Sequence, residues 1–486
     1  MKELEDEKTH HPNETEVECK AIGKTTYLDE SNMTLSGALR LSLPLVATSF
    51  VFCLIGAVDM TIAGWQSAAA QAAVGIADQC IFATMLIGTG LAAATGCFVS
   101  QSLGANQPSR ARQYAIDGLL LALCIGILAS ISCYVGAQAL IEFSGCTMAT
   151  KSVALPYLQT CAFGNLPFTI VLVQAAILRS MGHTAQCLKL WSLIGIISIA
   201  GGLYLFYGNE TTMTNSLTSL AVAWDIGAVA GVGLAAHFLG KTLFTRNPVM
   251  ESGQCLARLK NFYSVGVPVL LSEACCLLSL AAIYALLGRL PDSERLQAAY
   301  TVALKIEETF GILPLLALST VCATLVGHQV GAKRLIQARR LGWQLTVAAA
   351  LGMLICGSVI SNAGLPLGAL FTADASVLKQ VFISTASANI SLPLIAISSI
   401  LIAALEGAGE TNLSLIAQFT GYILCRLPLA YFFAVTLEFG YSGIWLAIVI
   451  SRIVIGIQSL IMYRTKFSGY TTARLVESKS TPNSAK

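Results

Sequence analysis

The sequence predicts an all-α polytopic membrane protein whose twelve transmembrane helices form two six-helix bundles related as parallel repeats. The composition, the spacing of apolar segments and an internal repeat support this prediction. Of the 486 residues, 55% are hydrophobic and only 11% are charged, and the mean hydropathy is +0.71. Ordinary globular domains carry about 25% charged residues. A soluble chain of this length would lack the charged surface it needs, so the composition indicates a membrane protein.

Net charge and motifs exclude several other classes. The formal net charge is +3, which is too small to indicate nucleic-acid binding. The sequence contains no GxxxxGK(S/T) phosphate-binding loop, which argues against an ATP-driven pump, and no zinc-ligand spacing. The apolar segments contain no His/Glu metal motif and no Ser/Lys dyad. We therefore expect neither an enzyme activity nor a bound cofactor.

Apolar segments recur along the chain with short interruptions. A membrane-spanning helix needs about 20 predominantly apolar residues. Segments of sufficient length predict spans near residues 37–63, 72–102, 114–138, 152–178, 186–207, 216–240, 262–288, 298–329, 341–363, 377–404, 412–436 and 441–463. The second and eighth of these are long enough to tilt in the membrane or to protrude from it.

Polar segments divide the chain into five parts. We predict a disordered cytosolic tail over 1–34, which has nine acidic residues against four lysines, and a second cytosolic tail over 466–486. Between them we predict an N-terminal six-helix lobe over 35–240, a cytosolic linker over 241–261 and a C-terminal six-helix lobe over 262–465.

The placement of lysine and arginine predicts the orientation in the membrane. The loops after even-numbered spans hold most of these residues, whereas the opposite loops hold only Lys151, Arg289, Arg295 and Lys379. Short loops that are rich in Lys and Arg stay in the cytosol. We therefore expect both termini in the cytosol, with the protein in a plasma membrane or a bacterial inner membrane.

The two halves of the chain repeat each other. VSQSLGANQPSRAR at 99–112 matches VGHQVGAKRLIQAR at 326–339, an offset of 227 residues (326 − 99), and LRSMG at 178–182 matches LEGAG at 405–409 at the same offset. Because each half has an even number of spans, the halves share one orientation and are related by an axis along the membrane normal. Transporters with this layout bind substrate between the halves near the midplane.

The repeated pieces resemble those of a known family. SLPLVATSFVFCLIGAVDMTIAGW at 42–65 is similar to the first helix of multidrug and toxic compound extrusion (MATE) transporters, which has a Pro near its start and ends in V-D-x-x-x-x-G. LGANQPSRARQ at 103–113 and VGAKRLIQARR at 330–340 resemble the family's paired GAG-x-x-x-x-A-R loops. LRSMGHT at 178–184 and LEGAGET at 405–411 resemble its paired LRG-x-GDT turns, so the resemblance extends over nearly the whole membrane part.

This resemblance implies a fold and an activity. The fold would be a monomer with two six-helix bundles in a V shape around a large cavity. The activity would be export of small amphipathic, often cationic molecules by alternating access, in exchange for H⁺ or, as the less favoured choice, Na⁺. Membrane lipids would be the other partners. The V-D context is closer to the DinF-like branch of the family.

The resemblance also implies where ions would couple to transport. An ionisable group in a span is a functional hypothesis by default, since a charge near mid-membrane costs about 2.5–3.5 kcal/mol on insertion scales. Asp59, late in the first span, stands where the DinF-like branch has its protonatable Asp. That branch usually has an Asn and an Asp in its fifth helix, where this chain has Ser198 and Gly202.

Three further residues are candidates for ion coupling. Gln174 in the fourth span and Asp225 in the sixth are expected to compensate for the depleted polar network around the first aspartate. Glu273 lies in the seventh span, where the NorM-like branch has a cation-binding Glu three residues further on, at the position of Cys276. In that branch the Glu has an acidic partner in the tenth helix, and this chain has Leu394 at that position. The missing carboxylate weakens the case for Na⁺ coordination.

Six residues are candidates for lining the substrate cavity: Asp78, Asn165, Tyr300, Lys305, Glu307 and Glu308. Lys305 and Glu308 are three residues apart, so they either pair along one helical face or leave a glutamate free to attract a cationic substrate. Tyr300 offers an aromatic face for a cation. Arg426 and Arg452 are predicted to brace the C-terminal lobe near the cytosolic side, or to contact lipid phosphates.

Two other functions stay open on the sequence alone. A lipid-linked precursor flippase of the same superfamily would have a basic central cavity, whereas the mid-membrane charges predicted here are mainly acidic. A passive channel or facilitator would carry current, but parallel lobes joined by cytosolic loops fit alternating access better.

Overall fold

The computed structural model describes residues 33–143, 148–208, 213–243, 255–372 and 374–480, most of which are helical. Within these ranges, 12 helices are long and apolar enough to cross a membrane, which confirms the predicted number. They are α1 (Leu35–Gln66), α2 (Ala68–Gly104), α3 (Pro108–Phe143), α4 (Met148–Ser180), α5 (Thr184–Gly208), α6 (Met213–Leu243), α7 (Cys255–Leu287), α8 (Ser293–Gly331), α9 (Leu335–Asn362), α10 (Ala388–Gly407), α11 (Thr411–Thr436) and α12 (Gly440–Ser480).

Side-chain caps determine where the first two helices begin. The hydroxyl of Thr34 accepts a hydrogen bond from the backbone N–H of Gly37 (3.2 Å) and caps α1. Ser67 has an extended backbone that ends α1, and its hydroxyl accepts from the N–H of Ala70 (3.0 Å) at the start of α2. Serine and threonine are favoured at such positions because they satisfy otherwise unpaired N–H groups. A single residue therefore joins α1 and α2 in a tight hairpin.

The backbone repeats at the offset seen in the sequence. Asn106 (φ 57°) and Lys333 (φ 58°), which follow α2 and α8, both adopt the left-handed conformation. Gly182 (φ 81°) and Gly409 (φ 85°) do the same after α4 and α10. A left-handed residue just past the last turn is a common helix end. Both pairs are 227 residues apart (333 − 106 and 409 − 182), so the sequence repeat is also a repeat of turns.

The predicted tenth span is two helices rather than one. A short helix, Ala375–Ala386, precedes α10, and Ser387 lies between them. The hydroxyl of Ser387 donates to the carbonyl of Ser384 (2.9 Å), which satisfies a backbone acceptor at the end of the short helix. α8 and α11 also contain π-helical turns, at Glu308–Ile312 and Phe419–Arg426.

The helices extend into the predicted tail and linker. The last helix continues to Ser480, so the predicted C-terminal tail begins as a helical extension. α6 reaches Leu243 and α7 begins at Cys255, and together they occupy both ends of the predicted linker. The middle of that linker, and all but the last two residues of the predicted N-terminal tail, lie outside the described residues.

The two lobes meet where α2 crosses α8, and glycines make the crossing possible. A Cβ atom on Gly104 would overlap the backbone carbonyl of His328, and one on Gly331 would overlap the backbone carbonyl of Gln101. The offset of 227 exchanges these two contacts (101 with 328, 104 with 331). Only glycine lets two backbones approach so closely. The crossing therefore has the local two-fold symmetry expected of parallel repeats.

Hydrogen bonds beside the crossing follow the same symmetry. Gln101 donates from Nε2 to the carbonyl of Gly407 (3.0 Å), and Nε2 of His328 lies 2.7 Å from the carbonyl oxygen of Ser180. Ser180 and Gly407 are the last residues of α4 and α10 and are again 227 apart (407 − 180). These contacts lie towards the loops that follow the even-numbered helices. We call this end of the molecule the closed end.

The crossing predicts the effect of a single methyl group. We expect Gly331→Ala to lower the melting temperature of the detergent-purified protein, because the new Cβ has no room against the carbonyl of Gln101. Overpacking of this kind costs about 1–3 kcal/mol. Gly352→Ala in α9 is the matched control, since nothing lies within 4 Å of a Cβ there, and it should leave the melting temperature unchanged or slightly raised. Equal shifts for the two variants in scanning fluorimetry would contradict the crossing.

Candidate functional site

Three aspartates from three helices converge in the N-terminal lobe. Asp59 of α1 and Asp78 of α2 are close enough to interact electrostatically, and both interact with the buried Tyr157 of α4. One turn further along α4, the buried Cys161 interacts with Asp225 of α6 as well as with the other two aspartates. All three aspartates are partly buried. We call Asp59, Asp78 and Asp225 the N-lobe acidic cluster.

The hairpin at Ser67 explains why the first two aspartates meet. Asp59 lies eight residues before Ser67 (67 − 59), and Asp78 lies eleven residues after it (78 − 67). At 1.5 Å of rise per residue, both lie roughly 12–17 Å from the turn. Because α1 and α2 run antiparallel on either side of the turn, the two carboxylates reach a similar depth in the N-terminal lobe.

A glycine makes room for the third aspartate. Atom Oδ1 of Asp225 lies so close to Gly164 of α4 that a Cβ at position 164 would overlap it. The same oxygen is buried and has no hydrogen-bond partner among the described residues. A buried polar atom without a partner is costly. This oxygen is therefore a place where a proton, a cation or a polar group of a substrate would be stabilised.

The acidic cluster has no positive charge to balance it. Within the described ranges, no nitrogen of a Lys, Arg or His side chain lies within 4.0 Å of its three carboxylates. The three side chains are also not arranged as a metal site, since the part of the chain that was described contains no group of three His, Cys, Asp or Glu residues suited to a metal ion. The cluster is a set of uncompensated carboxylates in an apolar lobe.

The other two candidates of the N-terminal lobe hold helices together. Asn165, one turn beyond Cys161, is buried and accepts a hydrogen bond from the hydroxyl of Thr84 (3.2 Å), which ties α4 to α2 beside the cluster. Gln174 is thirteen residues beyond Cys161 (174 − 161), or about 20 Å along the helix. It donates from Nε2 to the carbonyl of Val232 on α6 (3.3 Å). Gln174 therefore lies away from the cluster and does not compensate there for missing polar residues.

The C-terminal lobe buries charges of both signs. Glu307 of α8 is only 1% exposed and accepts two hydrogen bonds from Arg452 of α12, from Nη2 to Oε2 (2.8 Å) and from Nη1 to Oε1 (3.3 Å). Ser391 of α10 contacts both side chains. A bidentate pair of guanidinium and carboxylate is among the strongest hydrogen-bonded arrangements in proteins. The pair joins α8, α10 and α12 inside the lobe.

A second buried arginine lies beside this pair. Arg426 of α11 donates from Nε to the hydroxyl of Ser451 (2.9 Å), and its guanidinium lies over the ring of Tyr422, 4.5 Å from the centroid. It interacts electrostatically with Arg452 and Tyr300. Within the described ranges, no carboxylate lies within 4.0 Å of Arg426.

Polar side chains of α1, α7 and α8 lie in the space where the two lobes face each other. Lys305 and Glu308 form an ion pair (2.9 Å) with both side chains about half exposed, and Cys53 of α1 interacts electrostatically with both. Glu273 of α7 is exposed and lies two turns from Gly266, which packs against the backbone of α2. Residues seven apart share a helix face, so Glu273 also faces this space. We call it the inter-lobe cleft.

Comparison with known proteins identifies the family. The family model MatE matches residues 44–200 and again residues 268–432, one match in each lobe. The chain belongs to the MATE family of membrane transporters. The two matches begin 224 residues apart (268 − 44), so each lobe of this MATE transporter carries one copy of the family's repeating unit.

The relatives of this MATE transporter are distant in sequence but similar over nearly the whole length. It is 23% identical to the uncharacterized transporter YisQ of Bacillus subtilis (strain 168), over 92% of this chain and 97% of that protein. It is 22% identical to the probable multidrug resistance protein NorM of Thermotoga maritima, over 85% and 88% of the two chains. It also matches a solved structure described as the outward-facing conformation of a multidrug resistance MATE family transporter of the MOP superfamily. That match has a TM-score of 0.83 at 21% identity, covers 90% and 96% of the two chains, and shows the shared fold.

The structure of the MATE transporter corrects the predictions for the two arginines. Arg426 is fifteen residues from Thr411 and ten from Thr436, the ends of α11, so it lies near the middle of its helix. Arg452 likewise lies inside the lobe, where it forms an ion pair with Glu307. The predicted position near the cytosolic side or at lipid phosphates is therefore wrong, whereas the predicted bracing of the lobe is confirmed for Arg452, which joins α12 to α8 and α10. Both lie inside the lobe because their guanidinium groups find polar partners there.

Three cavity candidates of the MATE transporter are also placed by the structure. Glu307 is enclosed by its arginine partner, so it does not attract a substrate from the cleft. Glu308 instead pairs with Lys305 along α8, which confirms the local-pair alternative. Tyr300 is 1% exposed and packs edge-on against Tyr284, with 5.2 Å between ring centroids, so it belongs to the core of the lobe.

The buried ion pair predicts a large asymmetry between two kinds of variant. We expect Glu307→Gln to destabilise the MATE transporter by about 3–5 kcal/mol, because it leaves Arg452 buried without a counter-charge. The double variant Glu307→Gln with Arg452→Gln should recover part of this loss. Lys305→Gln is the control, since an exposed ion pair contributes about 0–1 kcal/mol. Melting temperatures in detergent measure all three, and a Glu307→Gln shift no larger than that of Lys305→Gln would contradict the pairing.

Proposed function

We propose that this MATE transporter exports small amphipathic, often cationic organic molecules and exchanges them for protons by alternating access. The substrate class is supported by the relatives described as probable multidrug resistance proteins. The coupling ion is supported by the N-lobe acidic cluster, which is the observation that carries the proposal. Asp59 and Asp78 interact with each other and with both buried groups of α4, and we take Asp59 as the central member because it stands where the family resemblance implies a protonatable Asp.

Competition for one set of carboxylates would couple the two movements. A charged aspartate near the middle of a membrane costs about 2.5–3.5 kcal/mol on insertion scales. Neighbouring carboxylates also disfavour each other's charge. A proton or a cationic substrate would relieve both costs, and the two cannot occupy the same oxygen together. Binding of protons on one side would therefore release the substrate, and loss of protons on the other side would favour its binding.

The number of protons determines which force can drive export. One pH unit supplies about 1.4 kcal/mol per proton, and a potential of 100 mV supplies about 2.3 kcal/mol per charge. Exchange of one proton for a monovalent cation moves no net charge, so the pH gradient alone would drive it. Exchange of two protons for one monovalent cation moves one net charge, so the membrane potential would also drive export. A cluster of three carboxylates offers enough oxygens for either ratio.

The symmetric crossing of α2 and α8 supports alternating access. The closed end carries the loops after the even-numbered helices, and the excess of Lys and Arg in these loops favours the cytosolic side. On that assignment, the structure represents a state that is closed to the cytosol. Rocking of one lobe against the other about the crossing would close the cleft to the outside and open it to the cytosol. A passive channel would instead need both ends open together.

Removal of the central carboxylate tests the coupling. We expect Asp59→Asn to abolish pH-driven counterflow of a fluorescent organic cation in proteoliposomes, because an amide cannot bind and release a proton at neutral pH. The control is Asp374→Asn, which changes an exposed aspartate outside the membrane helices and keeps a good helix cap. Size-exclusion profiles would check that both variants are folded. Counterflow by Asp59→Asn at the wild-type rate would remove Asp59 from this role.

Separate gradients test the identity of the ion. We expect an imposed pH gradient to drive uptake of the cation into the vesicles and an imposed Na⁺ gradient of the same size to have no effect. Na⁺ prefers several oxygen ligands in one pocket, and the three aspartates are not arranged as a metal site. To separate the two forces, the pH gradient is imposed with a sodium ionophore present, so that no Na⁺ gradient can form. The Na⁺ gradient is imposed with a protonophore present, so that no pH gradient can form. Transport driven by Na⁺ alone would contradict proton coupling.

A further inference from the structure

The proposed proton exchange leaves one buried charge unused. In the C-terminal lobe, the charge of Arg452 is neutralised by Glu307, but among the described residues Arg426 has only the hydroxyl of Ser451 and the ring of Tyr422 as close partners. The other N–H groups of Arg426 have no hydrogen-bond partner among the described residues, although they retain access to the surface. A buried guanidinium without a counter-ion is costly.

The position of Arg426 excludes a lipid headgroup as the missing partner. The side chain is 9% exposed and lies near the middle of α11, about 15–22 Å along the helix from either end. A headgroup phosphate lies at the membrane surface and does not reach this depth. Arg426 is also the last residue of a π-helical stretch, and such turns in α-helices are frequent at functional sites.

A chain of neighbouring side chains links Arg426 to the exposed Glu273. Glu273 faces the cleft, and Cys276 follows it by one turn on α7. Cys276 interacts with both Glu273 and Arg426, and its thiol lies within hydrogen-bond reach of Tyr422, over which the guanidinium lies. Glu273, Cys276 and Tyr422 therefore connect the exposed face of α7 to Arg426. The C-lobe side therefore holds a positive group near the negative Glu273, whereas no Lys, Arg or His nitrogen of the described residues lies within 4.0 Å of the carboxylates of the N-lobe acidic cluster.

We propose that Arg426 forms an anion-binding site on the C-lobe wall of the inter-lobe cleft, which takes the carboxylate of an amphoteric organic substrate. A planar guanidinium presents parallel N–H groups that match the two oxygens of a carboxylate. The cationic part of the same molecule would be attracted by the acidic cluster of the opposite lobe. This inference rests on the proposed function, and it narrows the substrates from organic cations in general to those that also carry an acid.

A pair of dyes tests this site with one chemical change. Tetramethylrhodamine carries a cationic ring system and a free carboxylate, and its methyl ester keeps the ring system but lacks the negative charge. Fluorescence anisotropy with the detergent-purified, full-length transporter measures the Kd of each. We expect the wild type to bind the acid at least as tightly as the ester. A more than tenfold preference of the wild type for the ester would overturn the anion site, with no variant needed.

Three variants separate the charge of Arg426 from its packing. We expect Arg426→Gln to weaken binding of the acid about tenfold, as the loss of one charge-assisted hydrogen-bonded pair predicts, and to change binding of the ester less than twofold. Arg426→Lys keeps the positive charge and should retain most of the preference for the acid. Arg340→Gln removes an exposed arginine of α9 and should change neither Kd.

The outcomes distinguish this inference from the proposed function. If the wild type binds the ester but disfavours the acid, or if Arg426→Gln weakens both dyes equally, the anion site is wrong and export of organic cations stands. If the wild type binds neither dye, the inter-lobe cleft is not an organic-cation site, and both proposals fail. A selective loss of acid binding in Arg426→Gln, restored by lysine, supports the site.

Discussion

A charge inside a membrane protein must find a partner, and this transporter meets that constraint differently in its two lobes. In the C-terminal lobe, Glu307 and Arg452 neutralise each other in a bidentate pair that is held by Ser391. In the N-terminal lobe, three aspartates lie near one another, and no Lys, Arg or His nitrogen of the described residues lies within 4.0 Å of their carboxylates. A neutralised pair stabilises one arrangement of helices. An uncompensated cluster instead depends on what it binds, and this is the property a coupled transporter requires.

The crossing of α2 and α8 relates this chemistry to movement. Gly104 and Gly331 bring the two lobes into backbone contact at two points exchanged by the repeat, and hydrogen bonds from Gln101 and His328 reinforce them. Gly90 and Gly266 form a further close backbone contact between α2 and α7, which the repeat does not duplicate. Close packing makes such interfaces switch between discrete states rather than deform gradually. The closed end is thus a suitable pivot for two lobes that must exchange open sides.

Much of the fold could be predicted from the sequence, because its causes are local. Apolar length gives the spans, and the repeated motifs give the equivalent turns, including the left-handed residues at 106 and 333. Lys305 and Glu308 pair as their spacing of three suggests. The break at Ser387 was not predicted, because both flanking segments contain long apolar stretches and the division is marked by a side-chain hydrogen bond of Ser387.

The sites were predicted less completely because they depend on contacts between distant residues. Glu307 and Arg452 are 145 positions apart, and no spacing within one sequence signals that they meet. Asp225 could be singled out as a charge in a span, but its place against Gly164 depends on how α4 packs on α6. The proximity of Asp59 and Asp78 was easier to predict, because the short hairpin at Ser67 fixes their relative depth. The similar distances of the two aspartates from a tight turn, one on each side, are a signal in the sequence that could have identified them as neighbours.

In the proposed mechanism, protons and organic cations compete for the N-lobe acidic cluster. The most direct measurement is the number of protons released when a saturating organic cation is added to the purified transporter in a weakly buffered solution that contains a pH-indicator dye. Competition for the carboxylates predicts release of at least one proton per bound cation at neutral pH. Binding of the cation without any release of protons would contradict it.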